Sequence, residues 1–292
     1  MYITYYIDAN NLAKKDGFEG VGAQYQRIVA LIAIAKRHNL KYIHIPIQIG
    51  HNINNDPEWN NKWDNMFNIK KLANNDDINY SLLEKKYTPY INDISLEQLL
   101  KDNDNKNDNI LNHYFLPFNI FDNNPDYYLS NIQNDLINAY DENNLHRKLI
   151  YDKNKTNIAI HIRIYSDYDG PNLYNDYSNN ISNRYYMNCN MYIIFINKLK
   201  LNYPNADIHI FSQEKYFDLH YKKLKNIENI KLHINDMDTF DTFHHLCKAD
   251  ILCLGTSSFS ILAGFYNKNT VIYLPYCHPP SLKTWYIYNP IQ

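Results

Sequence analysis

Residues 157–164 read NIAIHIRI, and this stretch decides the fold. As a strand it would turn Ile158, Ile160, Ile162 and Ile164 to one face and Ala159, His161 and Arg163 to the other. Moving toward the C-terminus, the apolar spacing predicts a helix at about 185–202 and a strand at 207–212 (DIHIFS). A helix at 214–225, a short strand at 230–234 and a helix at 238–248 come next. A strand at 250–254, a helix at 257–266 and a strand at 270–274 close the series. Strands alternating with helices at this spacing imply a parallel sheet with helices on both faces. Ligands of such sheets bind beyond the carboxyl ends of the strands, so candidate residues are sought there.

Moving toward the N-terminus, the pattern is less regular. Residues 1–7 alternate Tyr and Ile as a strand, residues 23–38 carry Ile28, Leu31, Ile32 and Ala35 at helical spacing, and residues 41–47 (KYIHIPI) form a second strand. Residues 50–112 are polar and Asn-rich. A short amphipathic helix is expected around Trp59, Trp63, Met66 and Phe67, with loop or short helices elsewhere, as a lid or an acceptor-side insertion. Residues 126–145 read as helical and 146–156 as a connector. The fold class is therefore α/β with two domains. An N-terminal domain spans 1–150 with an Asn-rich insertion at about 50–125, and a C-terminal domain spans 151–292.

Composition narrows the function. Net charge is −2 and the basic residues are scattered, which argues against a nucleic-acid binder. Lys222, Lys223 and Lys225 read as a solvated helix face. No run of about 18 apolar residues predicts a transmembrane helix, and MYITYYIDANN does not read as a signal peptide. The four cysteines, Cys189, Cys247, Cys253 and Cys277, lack metal-ligand spacing and read as reduced thiols of a soluble, cytoplasmic protein. With 28 Tyr and only 7 Gly, the chain has the bias of AT-rich coding, so its Asn content reads as bias and its glycines as informative.

Four constellations could carry chemistry. Arg163 beside apolar strand residues calls for an anionic partner, and its planar fork suits phosphate; a structural pair with Asp167 or Asp169 is the bland alternative. Gly255-Thr256-Ser257-Ser258 follows an apolar strand and opens a helix, where unpaired N–H groups and the dipole favour a diphosphate; an ordinary Ser N-cap is the alternative. The segment Gly17-Phe18-Glu19-Gly20-Val21-Gly22 lies between strand and helix, with Gly20 and Gly22 able to let a ligand approach. Glu19 there is a candidate general base or a helix-dipole partner. Asp167-Tyr168-Asp169 could hold a divalent metal, but short Asp matches are common by chance here. His244 and His245 read as surface or packing residues.

Taken in order, IAIHIRIYSDYD, Arg184-Tyr185-Tyr186-Met187, IHIFSQE and DTFDTFHHLCKADILCLGTSSFSILAGFY resemble the superfamily of GDP-fucose-dependent fucosyltransferases. That superfamily includes the alpha-1,2 and alpha-1,6 enzymes and the protein O-fucosyltransferases. GVGAQYQRI is similar to the Gly-x-Gly-Asn-Gln segment of the alpha-1,2 enzymes, with Ala23 where Asn is usual. Ile164 stands where a second Arg often stands, and Ile261 and Leu262 stand where tryptophans are common.

The resemblance implies a GT-B-like architecture of two Rossmann-like domains and inverting, metal-independent transfer. Arg163 would hold the β-phosphate, His161 would line the nucleotide site, and Thr256, Ser257 and Ser258 would contact the diphosphate. Asp250 would accept hydrogen bonds from guanine, and Ser212 and Gln213 would lie near ribose or base. Glu19 is the first candidate for the acceptor base, then Asp167 or Asp169. The implied partners are a GDP-fucose or related donor and a glycan or glycoprotein acceptor, with no metal cofactor. A transferase using UDP- or dTDP-sugars on the same fold, or a non-catalytic glycan-binding module, are the competing readings.

Overall fold

The computed structural model describes residues 1–6, 20–46, 56–73, 79–90, 93–104, 110–116, 118–164, 187–213, 217–274 and 282–288. The chain divides into two units, Met1–His146 and Arg147–Gln292.

Unit 1 is built on a four-stranded sheet in the order β2-β1-β4-β3, with all neighbours parallel. Its strands are β1 (Tyr2–Tyr5), β2 (Lys41–Tyr42), β3 (Glu84–Tyr90) and β4 (Ile110–Leu116). Helix α1 (Val21–Arg37) links β1 to β2 and is buried along nearly its whole length, through Tyr25, Ile28, Val29, Leu31, Ile32 and Ile34. Helix α2 (Trp59–Phe67) follows, then α3 (Ile69–Leu72), α4 (Asp93–Asp104), α5 (Phe118–Asn123), α6 (Pro125–Leu129) and α7 (Gln133–Asn144). Trp63 stacks on Phe67, and Phe67 packs against Tyr25 of α1, so the aromatic face expected around Trp59–Phe67 is buried.

The stretch 50–125 is no peripheral insertion: it supplies half of the sheet. β4 lies beside β1, and β3 forms the edge. The sequence concealed both strands for physical reasons. An edge strand tolerates Lys and Pro, because one row of its backbone groups has no strand partner. Thus β3 reads EKKYTPY, with Lys85 and Lys86 exposed. β4 buries polar Asn112 and His113 beside Leu111 and Tyr114, which erases the apolar alternation. The Asn content is also more than codon bias. Asn39, Asn68, Asn229 and Asn235 take positive φ at turns, the conformation that Asn adopts more readily than other non-glycine residues. Asn267 Nδ2 donates to the carbonyls of Leu246 and Ala249 at 3.2 and 3.0 Å.

Unit 2 holds a six-stranded parallel sheet in the order β10-β9-β8-β5-β6-β7. The strands are β5 (Asn157–His161), β6 (Asp207–Ser212), β7 (Ile230–Ile234), β8 (Ile251–Cys253), β9 (Thr270–Tyr273) and β10 (Tyr286–Ile287). The isoleucines of β5 point as their alternation requires. Ile158, Ile160, Ile162 and Ile164 join one core with Ile208, Ile210 and the Phe195, Ile196 and Leu199 side chains of α8 (Cys189–Asn202). Helix α9 (Phe217–Tyr221) passes into a short 3-10 turn where one longer helix was expected. Helices α10 (Thr239–Lys248) and α11 (Ser258–Tyr266) pack on one another, and α10 also packs on β5. Among the described residues, no helix is long and apolar enough to cross a membrane.

Gly264 on α11 packs directly on Trp285, just ahead of β10. A Cβ at this position would lie 2.9 Å from Trp285 Cζ2 and 3.1 Å from Cη2. Gly264→Ala should therefore overpack a buried indole. We expect a loss of about 1–3 kcal/mol, read as a lower urea midpoint at unchanged slope. An unchanged midpoint would show that the indole moves aside freely.

Candidate functional site

Strands β8, β5 and β6 are adjacent, so the chain leaving each emerges at one carboxyl edge. β5 delivers His161 and Arg163, β6 delivers Ser212 and Gln213, and β8 delivers Gly255 to Ser258. The ladder runs past the strand ends. Ile162 N–H donates to Phe211 O at 3.0 Å, and Ser212 Oγ donates to Ile162 O at 2.9 Å.

Gly255 is required here by space. A Cβ on it would lie 2.3 Å from the carbonyl oxygen of His161, a clash with backbone that no rotamer relieves. The turn that follows is closed by hydrogen bonds to its own residues. Ser257 N–H donates to Gly255 O at 2.8 Å, and Ser257 Oγ accepts from Phe259 N–H at 3.2 Å as the N-cap of α11. Ser260, wholly buried, accepts from Gly255 N–H and lies 3.1 Å from the carbonyls of both Gly255 and Ser257. Sequence reasoning missed Ser260; its only signal was a serine three residues after the cap. Thr256 and Ser257 are buried, while Ser258 and Arg163 are half-buried at the edge.

His161 is 8% exposed, and its ring lies 5.7 Å from that of Phe259. Its Nδ1 is buried and has no hydrogen-bond partner among the described residues. Burial first, then the neighbouring Arg163 guanidinium, lowers its pKa to about 3. The ring is therefore neutral at pH 7, and the positive charge at the end of β5 belongs to Arg163.

Not every expected residue is at this edge. Asp250 stands at the opposite end of the sheet, exposed, ahead of β8. Its Oδ2 accepts from Asn157 N–H at 2.8 Å and its own N–H donates to Asn157 O at 3.1 Å, tying together the starts of β5 and β8. Six steps along the chain take Asn157 to Arg163, about 20 Å at roughly 3.3 Å per extended residue. The expected guanine contact from Asp250 is thus corrected: its carboxylate joins strand starts.

Gly20 and Gly22 belong to unit 1. Gly20 caps α1 at φ −71° and ψ 170°, an extended conformation open to any residue, and Gly22 is buried in the first turn of α1. Glu19, Asp167 and Asp169 lie outside the described residues, as do Gly17, Gly170, Arg184, Tyr185 and Tyr186. Among the described residues, no group of three or more His, Cys, Asp or Glu side chains is placed to hold a metal ion. Cys189, Cys247 and Cys253 are free thiols, and Cys277 lies outside the described residues.

No family model and no curated protein matches the sequence. Solved structures do match the fold. POFUT1 in complex with GDP-fucose, in its crystal form I, aligns at 12% identity and TM-score 0.52 over 98% of this chain and 97% of that one. Crystal form II of the same complex aligns at 12% identity and TM-score 0.52 over 92% and 95% of the two chains. The POFUT1 apo form aligns at 10% identity and TM-score 0.51 over 93% and 97%. At such identity the likeness shows a shared fold along nearly the whole chain.

The buried histidines give a test of the site's electrostatics. His161 titrates near 3, and His113, His209 and His244 near 4, each lowered chiefly by burial. Unfolded histidines titrate at about 6.5. Depressed folded values mean that the unfolded chain binds more protons in acid. The stability they contribute is full above pH 6.5 and falls as pH drops toward the folded values. His161→Gln should remove one titrating group and flatten this fall by up to about 1.4 kcal/mol per pH unit between pH 6.5 and 4.5. Urea midpoints across that range measure it, and an unchanged slope would mean that His161 is protonated in the folded protein.

Proposed function

We propose that the chain is a glycosyltransferase of GT-B-like architecture that grips the diphosphate of a nucleotide-sugar at the carboxyl edge of β5, β6 and β8. The observation that carries the reading is the convergence of Arg163, His161 and the Thr256–Ser258 turn on one edge, with the N-terminus of α11 among them. Each feature suits a phosphate. Arg163 offers charge and a two-toothed fork, and the helix N-terminus offers backbone N–H groups. His161 offers a neutral ring nitrogen that is buried without a partner among the described residues. Two of the solved structures that share the fold are complexes of POFUT1 with GDP-fucose, which supports GDP-fucose or a related GDP-sugar as the donor.

In the proposed reaction the acceptor hydroxyl gives its proton to a carboxylate, its oxygen bonds the anomeric carbon, and the bond from that carbon to the β-phosphate oxygen breaks. The pair of electrons leaves with the diphosphate, and Arg163 offsets that growing charge. Inversion follows from attack opposite the leaving group, and no metal is needed where Arg163 and the helix end carry the charge. Glu19 is the first candidate base, then Asp167 or Asp169. Ser212 keeps acceptor capacity for a ribose hydroxyl, since only its proton is committed to Ile162, and Gln213 stands next to it. We assign the acceptor, a glycan or glycoprotein hydroxyl, to unit 1. There Tyr6, Tyr87 and His113 form a ring cluster with centroids 4.6–5.5 Å apart, and Tyr87 is 54% exposed. Exposed aromatic faces of this kind suit stacking by sugars. The free thiols fit a reducing compartment such as the cytoplasm.

A second reading, a transferase using another nucleotide, gains weight because Asp250 is removed from the base-reading role. Thermal unfolding with GDP, UDP, dTDP and CMP separates the two. The true nucleotide at 100 times its Kd should stabilise by about 2.7 kcal/mol. Arg163→Ala should keep its fold by circular dichroism and lose transfer by roughly 100-fold or more, with weaker nucleotide binding. Undiminished transfer in that variant would sink the diphosphate grip.

A further inference from the structure

Ser260 stands in the first turn of α11, and its side chain is wholly buried. A serine hydroxyl has one proton to give and can also accept. Here Ser260 Oγ accepts from Gly255 N–H at 3.1 Å and lies 3.1 Å from the carbonyl oxygens of Gly255 and Ser257, either of which can take its proton. Both carbonyls have another donor. Ser257 N–H reaches Gly255 O at 2.8 Å, and Ile261 N–H reaches Ser257 O at 3.1 Å. Gly255 N–H is in a different position, because its acceptor among the described residues is Ser260 Oγ.

Gly255 is thus held from two sides. On one side it abuts the end of β5, where a Cβ would lie 2.3 Å from His161 O and 3.1 Å from His161 Nδ1. On the other side Ser260 Oγ engages its N–H and its carbonyl. Arg163 follows His161 by two residues, and Thr256, Ser257 and Ser258 follow Gly255 directly. The clamp on Gly255 therefore sets where the turn stands relative to the chain that carries the guanidinium. Two amides of the turn, those of Ser257 and Phe259, are already engaged by Gly255 O and Ser257 Oγ. A ligand meets the rest of the turn in the shape that these inner bonds impose. Groups fixed before a ligand arrives bind it more tightly, because less freedom is lost on binding.

We propose that Ser260 is a positioning residue for the diphosphate, a buried hydroxyl that touches no ligand and sets the Thr256–Ser258 turn against Arg163. This role rests on the diphosphate grip inferred above. Removing the hydroxyl leaves Gly255 N–H buried without its acceptor, so the peptide must shift to find another. Helix α11 keeps its cap, since Ser257 Oγ still accepts from Phe259 N–H. The effect should therefore fall on ligand affinity beyond any loss of stability.

Sodium pyrophosphate is the probe, because it presents the diphosphate without base or sugar. Calorimetry on the full chain at constant ionic strength reads its Kd. Ser260→Ala should weaken pyrophosphate about tenfold. Gly264→Ala is the control. It strains the last turn of the same helix against Trp285, away from the Ser turn, and should leave the Kd unchanged. The wild-type chain supplies a second measurement. Leu254–Gly255 is the one Leu–Gly step in the sequence, so carbonyl-¹³C leucine with ¹⁵N-glycine singles out the Gly255 amide. That amide should shift saturably with pyrophosphate. Undiminished binding in Ser260→Ala, equal weakening in Gly264→Ala, or a Gly255 amide that does not respond would each overturn the role of Ser260. A loss in Arg163→Ala would then leave the diphosphate grip standing. No saturable binding by the wild type, or undiminished binding in Arg163→Ala, would overturn the grip and this role with it.

Discussion

The contact between Gly255 and the carbonyl of His161 is the constraint on which the C-terminal unit depends. Two neighbouring strands, β5 and β8, end side by side, and the chain leaving β8 must turn at once to start α11. The 2.3 Å separation that a Cβ would create shows that the turn crosses the end of β5 with no room for a side chain. Ser260 then closes the turn from within, and Ser257 caps the helix. The same crossing sets the helix N-terminus beside His161 and two residues from Arg163. Chain reversal and the placing of the helix end are here one problem, and one glycine answers both.

Much of this was legible beforehand, because it rests on local pattern. The β5 alternation, the apolar run before Gly255 and the Ser-rich turn are each written in consecutive residues. The regular β-α spacing of unit 2 then places them at one edge. What was not legible depended on partners distant in sequence. β3 and β4 were read as insertion because one is a Lys-rich edge and the other buries Asn112 and His113. Asp250 was given a ligand role by the family resemblance, which says nothing of the strand end at which it stands. A strand has two ends about 10 Å apart even when it is as short as β8, and Asp250 is at the wrong one. Gly20 invited a special backbone conformation and has an ordinary one, while asparagines took the left-handed positions.

Unit 1 shows the same limit in its interior. Tyr25 donates to Asp64, His44 Nε2 lies 3.1 Å from that carboxylate, and Tyr42 Oη lies 3.3 Å from His44 Nδ1. These residues come from α1, β2, the segment after it, and α2. All are buried, and together they tie α2 to α1 and to the segment after β2. A carboxylate buried alone would be costly, and its partners lie about 20 to 40 positions away in sequence. No spacing rule could have assembled them; only the folded chain brings them together.

The histidines divide the cationic work of unit 2 in a way that follows from burial alone. At the end of β5, His161 is desolvated and neutral, so Arg163 supplies the charge there, and a guanidinium keeps it at any physiological pH. An anion held by that pair should bind with little dependence on the protein's own titration near neutrality. At the flank of the sheet the ring has a different neighbour. His209 is again desolvated and neutral, but its partner is another imidazole, His233, with Asp236 behind it. The same buried, neutral ring thus stands beside a guanidinium in one place and a second imidazole in the other, so it is the neighbour, more than the histidine, that sets the charge at each place.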